Sequence, residues 1–197
     1  MLDSFPLTRR VVHVIGIAAA AFFTLLALAI TVFYRGVPFD SLLTEGRPGL
    51  VQAVAGLVIG AGLAAVIAFI ILWPTRPEGR LASLRTFLAA ILARVRPTSL
   101  DIVAVSLLAG FSEELFFRGS LQPLWGIWLA SLAFALAHVG GNVFARTKLA
   151  FAAYVFSMGV LFNLAQHHLG LVAAFTAHAA CNMVFLFALV RKLPYDA

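Results

Sequence analysis

Glu113, Glu114 and Arg118 are the only formally charged residues between positions 102 and 145, in a stretch otherwise apolar enough to lie in a lipid bilayer. Each charge at bilayer depth costs roughly 2.5–3.5 kcal/mol on insertion scales. A helix end with its charges solvated at headgroup level would avoid that cost, but apolar sequence continues on both sides, which favours an intramembrane polar site. Two further helices supply partners. His138 follows Phe134, and Asn182 follows His178, at the same i, i+4 spacing that separates Glu114 from Arg118, so each pair lies on one helix face. Neighbouring carboxylates in a low-dielectric site do not both stay ionised without a cation. Arg118, one turn after Glu114, is that cation. Glu114 is then an ionised structural anchor, while Glu113, about 100° round the helix, is free to take a proton from water. The histidines can orient that water or stabilise an oxyanion, and Asn182 can donate a neutral hydrogen bond to the same developing charge. Such an assembly suits hydrolysis.

These side chains meet only if their depths agree. Glu113 and His138 are about 25 residues apart, so they are level if the chain reverses near residue 125, where Pro123 and Gly126 break the helix. Each then lies about 18 Å from that turn at 1.5 Å per residue. The next reversal on the same side falls at 166–170 and puts His178 roughly 15 Å deep. Other polar side chains read differently. His138 alone is equally a hydrogen-bonded packing residue, and His167 and His168 lie at a turn. Cys181 is core rather than nucleophile, and Trp125 and Trp128 fit an interfacial belt.

The elements that must position these residues are helices in a membrane. The 197 residues are 62% hydrophobic and 11% charged, with a mean hydropathy of +1.02, well outside the soluble range. Runs long enough to span occupy 11–34, 50–73, 98–122, 124–145, 149–167 and 169–190. The fold class is therefore all-α, a polytopic membrane bundle of about six transmembrane helices. Residues 74–97 interleave Leu81, Leu84, Leu88, Ile91 and Leu92 with Arg80, Arg85, Arg94 and Arg96, which predicts one amphipathic surface helix or a re-entrant segment. The first run is too long for a cleaved signal and reads as a retained helix. Alternating short strands are absent, against a β-barrel. Residues 1–97 form a two-helix front section and 98–197 the core that carries the polar site. Gly56, Gly60 and Ala64 make a small-residue stripe for close helix packing.

The net charge of +6 does not point to nucleic acid, because the basic residues flank the spans. Arg9 and Arg10, the group Arg76 to Arg96, Arg146 with Lys148, and Arg191 with Lys192 fall on alternate segments, with Arg35 and Arg47 opposite. The positive-inside rule places both termini in the cytoplasm. The expected partners are the lipid bilayer and a membrane-anchored protein or peptide substrate.

The run Ser112-Glu113-Glu114-Leu115-Phe116-Phe117-Arg118-Gly119 resembles the Glu-Glu-x-x-x-Arg motif of the CPBP family, the CAAX prenyl proteases and bacteriocin-processing (Abi) intramembrane proteases. Phe134-Ala-Leu-Ala-His138 is similar to its Phe-x-x-x-His motif, and His178-Ala-Ala-Cys-Asn182 to its His-x-x-x-Asn motif, in the family's order. The resemblance implies a membrane-embedded endopeptidase in which Glu113 activates water with help from His138, His178 and Asn182 bind the oxyanion, and Glu114 and Arg118 support the site. It also implies metal dependence, yet no His-Glu-x-x-His run occurs, and the cofactor stays open, zinc included. The charge count puts the turns nearest the site on the extracytoplasmic side. That suits an enzyme of the bacterial inner membrane that cleaves near the outer end of a substrate's anchor, as in C-terminal sorting, better than CAAX processing.

Two rival classes remain on the sequence. A non-catalytic scaffold or bacteriocin self-immunity protein has no need of Glu113, His138 and His178 together. A proton or cation pathway would spread polar residues through the bilayer depth, whereas here they cluster at one level.

Overall fold

The computed structural model describes residues 8–44, 46–72, 82–139 and 146–193, and these form helices and short connections with no strand among them. Helix α1 (Arg9–Leu28) continues as a π-helical segment, Ala29–Tyr34. After the single turn α2 (Ser41–Thr44) come α3 (Gly49–Leu72), α4 (Ala82–Val95) and α5 (Ser99–Glu114), which continues as a second π segment, Leu115–Leu121. Helices α6 (Gln122–Val139), α7 (Arg146–Leu169) and α8 (Leu171–Lys192) complete the chain. Within the described residues, each of the six apolar runs is largely helical. Three helices, Arg9–Tyr34, α3 and α8, are long and apolar enough to cross a membrane by length and composition.

The reversals fall where the sequence puts them. Gly126 has φ 74° and breaks α6, and Gly170, at φ 122°, separates α7 from α8. Side-chain contacts give the directions. Ser131 on α6 meets Asn163 on α7, and Phe162 on α7 stacks on His178 of α8, so these three helices alternate in direction. Helices α3 and α8 run parallel along the stripe of small residues. Cβ atoms at Gly56 and Gly60 would strike the carbonyls of Ala173 and Ala177, so only glycine permits this approach. Gln52 of α3 fixes the register: nearly fully buried, it accepts from the Val172 amide (3.1 Å) and donates to the Arg47 carbonyl (2.5 Å). It thereby caps the start of α8, whose own N-cap, Gly170, has no side chain to do so.

Helices α1 and α5 also run parallel, tied at both ends. At one end Asp101 closes a capping box with Thr98 and takes Arg9 (2.8 Å) and His13 (2.8 Å) from α1. At the other end the two π segments meet: Thr31 and Ser120 hydroxyls are 2.9 Å apart, and Arg35 donates to the Gly119 carbonyl (2.6 Å). The expected surface segment is helical over α4, with Leu92 buried and Thr86, Ala90 and Arg94 outward at i, i+4 spacing. Arg80, Leu81 and the side chain of Leu84 lie outside the described residues.

Gly60→Ala should lower stability by about 1–3 kcal/mol, because its Cβ must displace α8 backbone. Gly62→Ala, whose Cβ would meet nothing within 4 Å, should leave the melting temperature in detergent unchanged or raise it.

Candidate active site

The site grows from the junction of α5 with its π segment. A π turn holds one more residue than an α turn and so re-aims the side chains that follow it. All seven residues of Leu115–Leu121 are buried, and the segment touches α1, α6, α7 and α8. Ser120 completes this local distortion by hydrogen bonding the carbonyls of Leu115 (3.1 Å) and Ala27 (3.2 Å).

Glu114 and Arg118 are both 0% exposed. Arg118 Nη1 donates to Glu114 Oε1 (2.9 Å), and His178 Nδ1 reaches the same oxygen at 2.7 Å. Arg118 Nη2 donates to the Gly159 carbonyl (3.1 Å). The guanidinium lies over the Phe134 ring at 4.3 Å, with Phe162 at 5.5 Å and Phe117 at 5.9 Å. His178 is held in turn by stacking on Phe162, with centroids 4.9 Å apart and planes at 14°. Four helical segments therefore converge on one buried charge.

Glu113, one residue earlier, faces another way. Its Oε2 lies 3.3 Å from His138 Nε2, and the side chains are 14% and 31% exposed. This pair, unlike the first, is open to a reactant. His138 Nδ1 is 2.8 Å from the Phe134 carbonyl, which only accepts, so Nδ1 carries a proton and Nε2 is the nitrogen presented to Glu113. With Nδ1 committed, neutral imidazole and ionised carboxylate face each other as two acceptors. At 3.3 Å they can share one proton, and a water can reach the pair only from its open side.

All the catalytic candidates except Asn182 thus converge by direct contact in one pair, Glu113–His138, and one trio, Glu114–Arg118–His178, that share Phe134. His178, placed by its motif among the oxyanion binders, donates Nδ1–H to Glu114, which leaves Nε2 an acceptor in the neutral ring and a donor only in the imidazolium. Asn182 is half-buried one turn further along α8 and makes no hydrogen bond among the described residues. Cys181 is buried beside Ala64, Phe162 and Ala177, as a core residue should be. His167, His168, Trp125 and Trp128 are exposed at the ends of their helices.

A zinc ion needs three or four converging His, Cys, Asp or Glu donors. Among the described residues no three such side chains converge. Glu113–His138 and Glu114–His178 are separate pairs, and Arg118 fills the second. The residues present do not fit a zinc site.

One participant escaped the sequence reading. Asn163 is completely buried on α7; its amide donates to Ser131 Oγ (2.7 Å) and to the Gly159 carbonyl (2.8 Å), the same carbonyl that takes Arg118. The signal was present as an asparagine in an apolar helix four residues after a glycine.

Removing the anion should cost more than removing the exposed carboxylate. Glu114→Gln leaves Arg118 buried without its counter-ion and should destabilise by about 3–5 kcal/mol, whereas Glu113→Gln should shift the melting temperature in detergent far less.

Comparison with known proteins agrees with the motifs. Residues 95–184 match the family model described as type II CAAX prenyl endopeptidase Rce1-like. The chain is 33% identical over 99 residues to the uncharacterized protein YpbD of Bacillus subtilis (strain 168), a match covering 48% of this chain and 51% of that one. The chain thus spans about half the length of that curated relative. No solved structure matches it. All three polar motifs, Glu113 to Arg118, Phe134 to His138 and His178 to Asn182, fall inside the matched segment, so that segment is similar to the Rce1-like family over the same residues that resemble the CPBP-type proteases.

Proposed function

We propose that the chain is an intramembrane endopeptidase that hydrolyses a peptide bond in or near the membrane anchor or C-terminus of a protein substrate. The observation that carries this reading is the Glu113–His138 pair, 3.3 Å apart, partly open, with the imidazole tautomer set by the Phe134 carbonyl.

The chemistry follows from proton accounting. A water on the open side of the Glu113–His138 pair attacks the substrate carbonyl carbon and gives a proton to the pair. The tetrahedral intermediate then collapses: the C–N bond breaks, and the stored proton passes to the leaving amine. The products are a carboxylic acid and an amine, the acid then gives its remaining proton to the amine or to solvent, and the pair is restored. Because Glu113 and Glu114 are adjacent, the pair works beside a second carboxylate. Arg118 cancels that charge, so Glu113 is not pushed toward permanent protonation by its neighbour. On α8, Asn182 is the donor we assign to the oxyanion, through its amide, and His178, with Nδ1 donating to Glu114, can join it only as an imidazolium.

The substrate is read as a membrane-anchored protein, with C-terminal sorting-signal processing as the role. The membrane is the bacterial inner membrane, and both termini face the cytoplasm. The basic residues at the start of α1 and the end of α8 support that orientation.

Glu113→Gln and His138→Asn should each lower turnover by about 10²–10⁴-fold, the usual contribution of a positioned acid–base group. Membrane proteomes of cells carrying wild type or Glu113→Gln at equal abundance should differ in one or more anchor-proximal fragments, present only with wild type. Identical proteomes would overturn the proteolytic reading.

A further inference from the structure

Between the parallel helices α1 and α5 lies a cavity of about 410 Å³ that the chemistry above does not use. Its walls are apolar, with small residues, Gly16 and Ala20 on α1 and Ala104 and Ala109 on α5, set between larger ones such as Phe23 and Leu108. A Cβ at Gly16 would meet nothing within 4 Å, so the space begins at the missing side chain. Polar groups occur only at the ends, with His13 and Asp101 at the outer end and Ser112 and Glu113 at the inner end.

Size and polarity together select the occupant. From Asp101 to Glu113 the shaft runs about 18 Å along α5, close to one leaflet, or half of a roughly 30 Å hydrocarbon core. A helix of that length occupies on the order of 1,400 Å³ and does not fit. An extended peptide would fit, but its amides and carbonyls would find no partners along apolar walls, at a cost of several kcal/mol for each unpaired group. A hydrocarbon chain has neither problem. A dry apolar cavity of about 150 Å³ takes a six-carbon ring, so this one takes on the order of sixteen carbons, a common membrane acyl chain.

The outer end supplies charge complementarity. Arg9, with its side chain 49% exposed, pairs with Asp101, whose carboxylate is also engaged by Thr98 and His13, and two more exposed arginines lie close along the chain: Arg10 next to Arg9, and Arg96 two residues before Thr98. The excess charge at this mouth is positive, at the level where a chain entering the shaft would leave its headgroup.

We propose that the α1–α5 groove is a lipid site that holds one acyl chain of an anionic membrane phospholipid, with the phosphate at Arg9 and Arg10 and the chain end against Ser112 and Glu113. An occupied groove covers the α1 side of Glu113 with hydrocarbon, so a substrate segment approaching from that side must displace the lipid.

Native mass spectrometry of the whole protein released from membranes in mild detergent tests this. Wild type should carry about one phospholipid per chain, enriched in anionic headgroups over the bulk membrane. Gly16→Leu, which fills the shaft and raises helix propensity, should carry at least tenfold less. Ala104→Leu does the same from the opposite wall if the first variant fails to fold. Ala18→Leu, exposed on α1 but outside the groove, should retain the lipid. Arg9→Gln with Arg10→Gln should abolish the anionic enrichment. Equal retention by wild type and both filled variants would overturn the site, and so would a chain found covalently attached to a peptide, which would make the occupant a substrate's own anchor. Bound lipid is read without any cleavage, so a negative result leaves the proteolytic reading standing.

Discussion

The structure is organised around the burial of one guanidinium. Arg118 has no exposed surface, in a bundle whose surroundings are hydrocarbon, and removing such an ion from water costs several kcal/mol even after relaxation. Its surroundings meet that cost from four directions. Glu114 on α5 supplies the counter-charge, the Gly159 carbonyl on α7 a second acceptor, and rings from the π segment, α6 and α7 a face of favourable quadrupole. His178 on α8 closes the group by bonding the same carboxylate oxygen that takes Arg118. A misplaced helix would leave a buried charge short of a partner, so the cluster acts against alternative packings of an otherwise uniformly apolar chain.

The same constraint produces the division of labour between adjacent carboxylates. Two consecutive residues on a helix point about 100° apart, so Glu114 can be sealed inside while Glu113 looks out toward α6. The sealed pair makes the open one usable. With its neighbour's charge cancelled, Glu113 can remain a base in a low-dielectric setting, and the Phe134 carbonyl presents the correct nitrogen of His138 to it. Phe134 serves both pairs, its ring lying under Arg118 and its carbonyl holding His138. Asn163 extends the arrangement: by gripping both Ser131 and Gly159, it ties α6 just beyond the Gly126 break to the carbonyl that receives Arg118.

Much of this was legible from residue types and spacing. The polar residues stood out because charge in an apolar run is costly, and their common depth followed from the helix breakers at Gly126 and near Gly170. The stripe of Gly56, Gly60 and Ala64 announced a close helix contact, though only the coordinates name α8 as its partner. What stayed hidden was decided by tertiary packing. Neither π segment has a propensity signature; each exists where α1 and α5 press together, with Ser120 and Thr31 between them. Gln52 capping α8 spans 120 residues of sequence, beyond any local pattern. His178 could equally have faced a substrate or a carboxylate, and stacking on Phe162 decides for Glu114.

The central claim is that Glu113 and His138 act as one unit, and a double-mutant cycle on cleavage in native membranes tests it most directly. If the two act as one unit on a single water, Glu113→Gln, His138→Asn and the double variant should lose turnover to nearly the same residual level, since either change alone disables the pair. Losses that multiply in the double variant would mean that the residues act independently, and would contradict the account.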